Sequence, residues 1–272
     1  MIRYPERLTY AGRLDKDSEG LILLTNDGDL INAMMRGANR HEKEYIVKTI
    51  VTTETIKTIA ERNGVEMYDV YTGFKWIANV MRENEGKKNY IGGGEESYGF
   101  LCEDFVRDKD AVSACVILAE IAAWAKDQGL SLYQLLQKIY VEYGFSKEKG
   151  ISVVKKGKSG AEEIEAMMKK FRENPLTEIA GSKVTYFYDY STLKGKDYAE
   201  NETVTLDMPT TSNVLQYFTE DNTKVSIRPS GTEPKIKFYC EVHSKVKSID
   251  ELPEAEKAAE EKINQIKASL GI

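Results

Sequence analysis

The chain has 272 residues, 41% hydrophobic and 30% charged, with a formal net charge of −6. That length suits about two domains. The negative balance excludes a protein built to wrap nucleic acid or lie on an anionic membrane, since both would repel it at long range. The first residues carry no apolar core of a secretory signal, and the longest early apolar run, residues 21–24, is too short to span a bilayer. Cys102, Cys115 and Cys240 form no CxxC pair. Neither a disulfide framework nor a zinc site is expected, and buried free thiols in a cytoplasmic protein are.

In chain order, residues 20–25 read as a short buried strand. Asp27-Gly28-Asp29 makes a turn into a helix over 29–36, and 44–51 is strand-like. Thr52 and Thr53 offer N-cap oxygens to a helix ending at Asn63-Gly64. A strand follows over 65–70, then a helix opened by Thr72-Gly73 with Ile77, Val80 and Met81 on one face. Tyr90-Ile91 leads into a triple glycine. An Ala-rich helix spans 110–126, and Ser131 with Gln134 forms a capping box for the next, whose Leu132, Leu135, Leu136, Ile139, Tyr140 and Tyr143 predict a buried stripe. Strands alternating with helices of this length predict a layered α/β unit with a mostly parallel sheet.

The pattern changes near 147–150, where a domain boundary is placed. Ser159 and Glu162 cap a helix carrying Ile164, Met167 and Phe171. Strand-like runs follow at 183–190, 203–206, 214–219, 224–227 and 236–243, with a hairpin turn at Asp221-Asn222. Pro253 starts a charged helix with Ile263, Ile266 and Leu270 inward. Strands bracketed by two helices predict a small α+β domain.

Three constellations bear on chemistry. In GGGEESYG (92–99), glycines allow close backbone approach, and a carboxylate beside a hydroxyl suits a polyol; the same string also reads as a flexible turn. In RPSGTEPK (228–235), Arg228 can grip a phosphate bidentately. Ser230, Gly231 and Thr232 supply hydroxyls and consecutive N–H groups able to form an anion nest, and two prolines stiffen the loop. In TGFKW (72–76), Lys75 stands at a helix start, while Phe74 and Trp76 suit a core.

The strings TGFKWI, GGGEESYGF, EDFVRDKDAVSA and RPSGTEPKIKFY resemble the phosphoglucomutase/phosphomannomutase branch of the α-D-phosphohexomutases over about residues 46–272. The resemblance implies a partial third domain (48–147), α/β with a mostly parallel sheet, and an α+β fourth domain (148–272). It implies sugar contacts from Glu95, Ser97 and Lys75, and phosphate contacts from Arg228, Ser230, Gly231 and Thr232. The family moves a phosphoryl group on a hexose phosphate (glucose or mannose 1- or 6-phosphate) through a phosphoserine enzyme with Mg2+. Neither the family's phosphoserine loop nor its Asp-x-Asp-x-Asp-Arg metal loop occurs in these residues. The chain alone is therefore expected to have no catalytic residue for the mutase reaction, no metal site and no turnover.

Residues 1–47 resemble a different family. GRLDKDSEGLILLTNDG (12–28) and HEKEY (41–45) are similar to the active-site stretch of bacterial rRNA pseudouridine synthases, whose catalytic aspartate would correspond to Asp15. Residues 1–48 carry eight basic and eight acidic side chains, no excess suited to RNA. The expectation is an apparent chimera: a synthase-like fragment without RNA-modifying activity joined to the substrate-recognition half of a mutase. A non-catalytic sugar-phosphate-binding module is the further alternative.

Overall fold

The computed structural model describes residues 9–11, 23–25, 43–155, 157–231 and 233–272. Strands β1 (Thr9–Ala11) and β2 (Leu23–Thr25) pair antiparallel. The helix expected over 29–36 lies outside the described residues.

The first layered unit is built from β3 (Glu44–Thr49), α1 (Thr55–Arg62), β4 (Glu66–Val70), α2 (Phe74–Asn84), β5 (Asn89–Gly94) and β6 (Phe100–Cys102), followed by α3 (Ala111–Asp127) and α4 (Leu132–Tyr143). The sheet order is β4-β3-β5-β6. β3 runs parallel to both β4 and β5, and β6 closes the edge antiparallel. Phe74, Ile77 and Met81 recur at helical spacing on α2 and bury against Tyr45, Val47, Val70, Tyr90 and Leu101. At α1 the expected threonine N-cap is replaced: Glu54 takes the position without a side-chain cap. The capping box of Ser131 and Gln134 forms on α4 as the sequence predicts.

Three expectations change here. The triple glycine is not a turn but the second half of β5. A Cβ at Gly93 would stand 2.5 Å from the Val47 carbonyl oxygen and 2.6 Å from Tyr90 Oη, so the strand needs glycine for close packing. The stripe on α4 is not buried, with Leu132 and Leu136 exposed, and α3 presents Val112, Val116, Leu118, Ile121 and Trp124 to solvent with only Ala125 buried. These helices lean on β6 and on each other at the rim of the sheet, where no second layer covers them among the described residues. Cys240 is buried, but Cys115 is exposed and Cys102 half-buried; all three are free.

The second unit begins with β7 (Phe145–Val154), passes through α5 (Gly157–Glu173) and continues as β8 (Glu178–Ile179), β9 (Ser182–Asp189), β10 (Lys194–Asp197), β11 (Glu202–Thr205), β12 (Leu215–Thr219), β13 (Lys224–Pro229) and β14 (Lys235–Ser244), ending in α6 (Leu252–Leu270). The sheet is antiparallel in the order β11-β10-β9-β12-β13-β14-β7, with β8 on β9. α5 and α6 cover one face over a core that includes Ile164, Met168, Phe171, Leu215, Tyr217, Ile227, Phe238, Ile263 and Ile266. The expected α/β unit followed by an α+β unit is the architecture found. β7 and β10 were not expected as strands. β7 reads polar because it is an edge strand whose Lys147 and Lys149 reach Glu256 and Glu260 on α6.

The two units pack together through Ile50, Val51 and Tyr71 of the first and Tyr190, Val214 and Tyr239 of the second. Tyr71 Oη donates to the Thr210 carbonyl (2.6 Å), and Gln216 Nε2 donates to the Ile50 carbonyl (2.7 Å).

Candidate functional site

Period-2 alternation divides β13 and β14 into two chemical faces. Val225, Ile227, Phe238 and Cys240 enter the core. On the opposite face the register sets Lys224 beside Glu241, Ser226 beside Tyr239 and Arg228 beside Lys237, and it extends across β7 to Glu148, Gly150 and Ser152. This polar face looks at the first unit.

At one end the face is locked. Lys224 Nζ lies 2.6 Å from Glu54 Oε1 and 2.9 Å from Glu241 Oε2, and donates to the Thr52 carbonyl at 2.7 Å. Lys48 Nζ reaches Glu54 at 3.0 Å and Asp69 at 2.7 Å. Glu241 Oε1 accepts from the Glu54 backbone N–H (2.6 Å) and from Thr53 Oγ1 (2.9 Å). Burial would raise the Glu241 carboxyl, but Lys224 and His243 outweigh it and hold it down at about 2. Burial would likewise lower the Lys224 ammonium, yet Glu241 and Glu54 raise it. The cluster is an interdomain latch in its charged form.

Beside the latch lies a cleft of about 530 Å³, walled by Val51–Thr53 and Glu96–Tyr98 from the first unit and by β7 and β14 from the second, with Lys237 and Tyr239 on its floor. The loop after β5 is closed by the Glu95 N–H donating to the Gly99 carbonyl (2.7 Å), and Tyr98 turns it with φ 68°. Thr49 Oγ1 donates to Glu96 Oε2 at 3.2 Å, which draws Glu96 inward. The Tyr239 hydroxyl is buried, makes no hydrogen bond of ordinary geometry, and lies beside both Glu96 and Arg228.

The expected site residues fall in several places. Ser97 lines the cleft and is exposed. Glu95 faces a neighbouring, largely apolar groove with Gly92, Gly94 and Phe100, and its Oε1 accepts from the Gly73 N–H at 2.7 Å, a carboxylate at the N-terminus of α2. Lys75 is exposed with its Nζ 5.1 Å from the Trp76 ring centre, and lines a separate hollow with Arg82 and Arg107. Arg228 is half-buried at the end of β13 and touches the cleft wall through Tyr239. The Ser230 N–H donates to the Lys235 carbonyl (2.8 Å), closing the turn on which Gly231 is exposed. Thr232 and Asp15 lie outside the described residues. Glu96, Lys237 and Tyr239 were not foreseen. The signal for Lys237 and Tyr239 was the alternation of polar with apolar residues in β14, while Glu96 lies in the loop after β5. Among the described residues no group of three or more His, Cys, Asp or Glu side chains is placed to hold a metal ion.

Two family models match the chain: phosphoglucomutase/phosphomannomutase alpha/beta/alpha domain III over residues 27–143, and the C-terminal domain of the same family over residues 152–259. The chain belongs to the phosphoglucomutase/phosphomannomutase family. A phosphoglucomutase from Staphylococcus aureus (strain MRSA252) is 36% identical over 232 residues, 84% of this chain and 42% of that protein. One from Staphylococcus haemolyticus is 35% identical over 214 residues, 79% of this chain and 39% of that protein. The chain thus spans about two fifths of the length of these curated relatives. The open form of parafusin, a phosphoglucomutase from Paramecium, shares the fold at 18% identity with a TM-score of 0.50, covering 75% of this chain and 33% of that one. The domain III match takes in residues 27–47, and these matches give no support to a pseudouridine-synthase segment at residues 1–47.

Proposed function

We propose that this chain is the substrate-recognition half of a phosphohexomutase, binding a hexose phosphate between the Glu95–Ser97 loop and the Arg228–Thr232 loop. The observation that carries this reading is the interdomain cleft, whose Ser97 wall and Arg228 strand meet at one tyrosine, Tyr239. A guanidinium and a backbone turn suit a phosphate dianion, while Ser97 and the two glutamates suit sugar hydroxyls. Lys75 would join only if the hollow that it lines extends to the ligand. The relatives named above are phosphoglucomutases, which fits glucose or mannose 1- or 6-phosphate as the ligand class.

Phosphoryl transfer needs a positioned nucleophile and neutralisation of the moving charge. These 272 residues contain neither a phosphoserine loop nor a triple-aspartate metal loop of the family's kind. They are expected to bind but not to turn over glucose 1-phosphate in a coupled assay. The balanced charge of residues 1–48 likewise predicts no pseudouridine in an RNA oligonucleotide incubated with the chain, whatever Asp15 resembles. Three free thiols fit a cytoplasmic, reducing setting.

The test is calorimetric titration with glucose 6-phosphate. Arg228→Ala should weaken binding at least tenfold, in line with about 1.5–3 kcal/mol for a hydrogen bond to a charged group. Equal affinity in the variant, or no binding by a wild-type chain shown to be folded, would overturn the proposal.

A further inference from the structure

α3 (Ala111–Asp127) is apolar on every side, and Glu120 is the sole charged residue between Ala111 and Ala125. A helix apolar all round belongs in a core or a membrane. The core does not take it, since only Ala125 of its 17 residues is buried. No helix among the described residues is long and apolar enough to cross a membrane. Val112 is 74% exposed and Trp124 55%, and α4 continues the surface with Tyr133 at 67%. Five large apolar side chains on α3 and three on α4 are exposed in this way. At roughly 150–250 Å² for a large side chain, their exposed fractions come to on the order of 800 Å². The largest patch on a typical monomer is only about 300–600 Å².

Charge decides what fits this surface. The two helices carry Glu120, Asp127 and Glu142 against Lys126 and Lys138, a net −1 out of the −6 of the whole chain. They offer a strongly charged partner little to pair with, and most of the charge that keeps two copies apart lies elsewhere on the molecule. A second copy meets the requirement, because a twofold axis sets apolar against apolar without a second charge pattern to match. We propose that the α3–α4 face is the interface of a weak homodimer, with α3 of one copy packed on the same face of another. Apolar side chains point all round α3, so a single contact reaches only part of them. With about two thirds of the patch covered on each copy, the pair buries about 1,000 Å² in total, the least that a specific interface requires. An area of this size suits a monomer at about 1 µM that is largely dimeric above about 100 µM. Unfolding curves taken at micromolar concentration therefore report the monomer. This interface does not depend on the hexose-phosphate reading above.

The test is sedimentation velocity of the full chain at about 1 to 200 µM, with wild type, Val116→Lys, Ile121→Lys and Val154→Lys. Val154 is 62% exposed at the far end of β7, so its substitution adds the same charge away from the patch. Wild type and Val154→Lys should pass from monomer to dimer over this range. Val116→Lys and Ile121→Lys should each weaken the dimer at least tenfold, with thermal midpoints at 1 µM unchanged to show that the fold is retained. Added salt should tighten the wild-type dimer, since it screens the repulsion of two chains of like charge. A wild-type chain that stays monomeric at 200 µM would overturn the inference. So would α3 variants that dimerise like wild type, or a dimer that added salt dissociates. Growth past the dimer into larger oligomers would overturn the closed twofold arrangement.

Discussion

Gly93 shows how a single side chain can carry two readings. In the sequence it belongs to a glycine-rich loop near a ligand; in the fold it is a strand residue with the Val47 carbonyl 2.5 Å from where a Cβ would stand. Gly93→Ala should cost about 1–3 kcal/mol through overpacking, measured as a lowered urea midpoint with an unchanged slope. An unchanged midpoint would mean that the strand yields there. Lys224 supplies the opposite case. Lys224→Met removes the cation that Glu54 and Glu241 share, leaving the buried Glu241 and the half-buried Glu54 partly uncompensated. The expected loss is about 3–5 kcal/mol, read from the same denaturation curves. At this scale Ser97 and Arg228 stand out in the sequence as candidates, because serine beside glutamate in a glycine string and arginine in a Pro-Ser-Gly-Thr string are unusual. Tyr239 was not, because a tyrosine within Lys-Phe-Tyr-Cys reads as ordinary core.

The elements divide along similar lines. α2 and α6 were legible because their apolar positions recur at helical spacing and both are buried, as Ile77 and Ile263 show. β7 was not, because an edge strand paired on one side carries charges at alternate positions, and Lys147, Glu148 and Lys149 mask the period. α3 is the opposite case: its sequence is Ala-rich and apolar, and the fold leaves Val116 and Ile121 facing solvent. The contrast can be measured. Val116→Lys or Ile121→Lys should move stability by no more than about 0.5 kcal/mol while lowering light scattering at high concentration, since the exposed patch shrinks. Ile77→Ala, in the core, should cost about 2–5 kcal/mol. A large loss of stability in either α3 variant would show that this face is covered in solution.

Across the whole molecule, the latch joins the units through charge, so its contribution depends on pH. The Glu241 carboxyl is held down at about 2 in the fold against an ordinary value of 4.5, and Glu54 is also lowered, its burial outweighed by Lys224 and Lys48. A depressed carboxyl contributes stability fully above its unfolded value and loses it as pH falls toward its folded one. Urea midpoints should therefore fall steadily from about pH 4.5 to pH 2, and Glu241→Gln, already weakened at neutral pH, should show a shallower fall. A parallel fall in both proteins would mean that other carboxylates govern acid unfolding. The sequence by itself determined most of the helices and strands, the α/β and α+β character of the two units, and the family, because periodicity and short loop strings are local. Only the tertiary structure decided that Glu54, Lys224 and Glu241 meet, that β5 contains the glycines, and that Ser97, Lys237 and Tyr239 share one cleft. Those facts depend on strand register and on the packing of two units through residues separated by as many as 188 positions along the chain, a distance over which local sequence pattern carries no information.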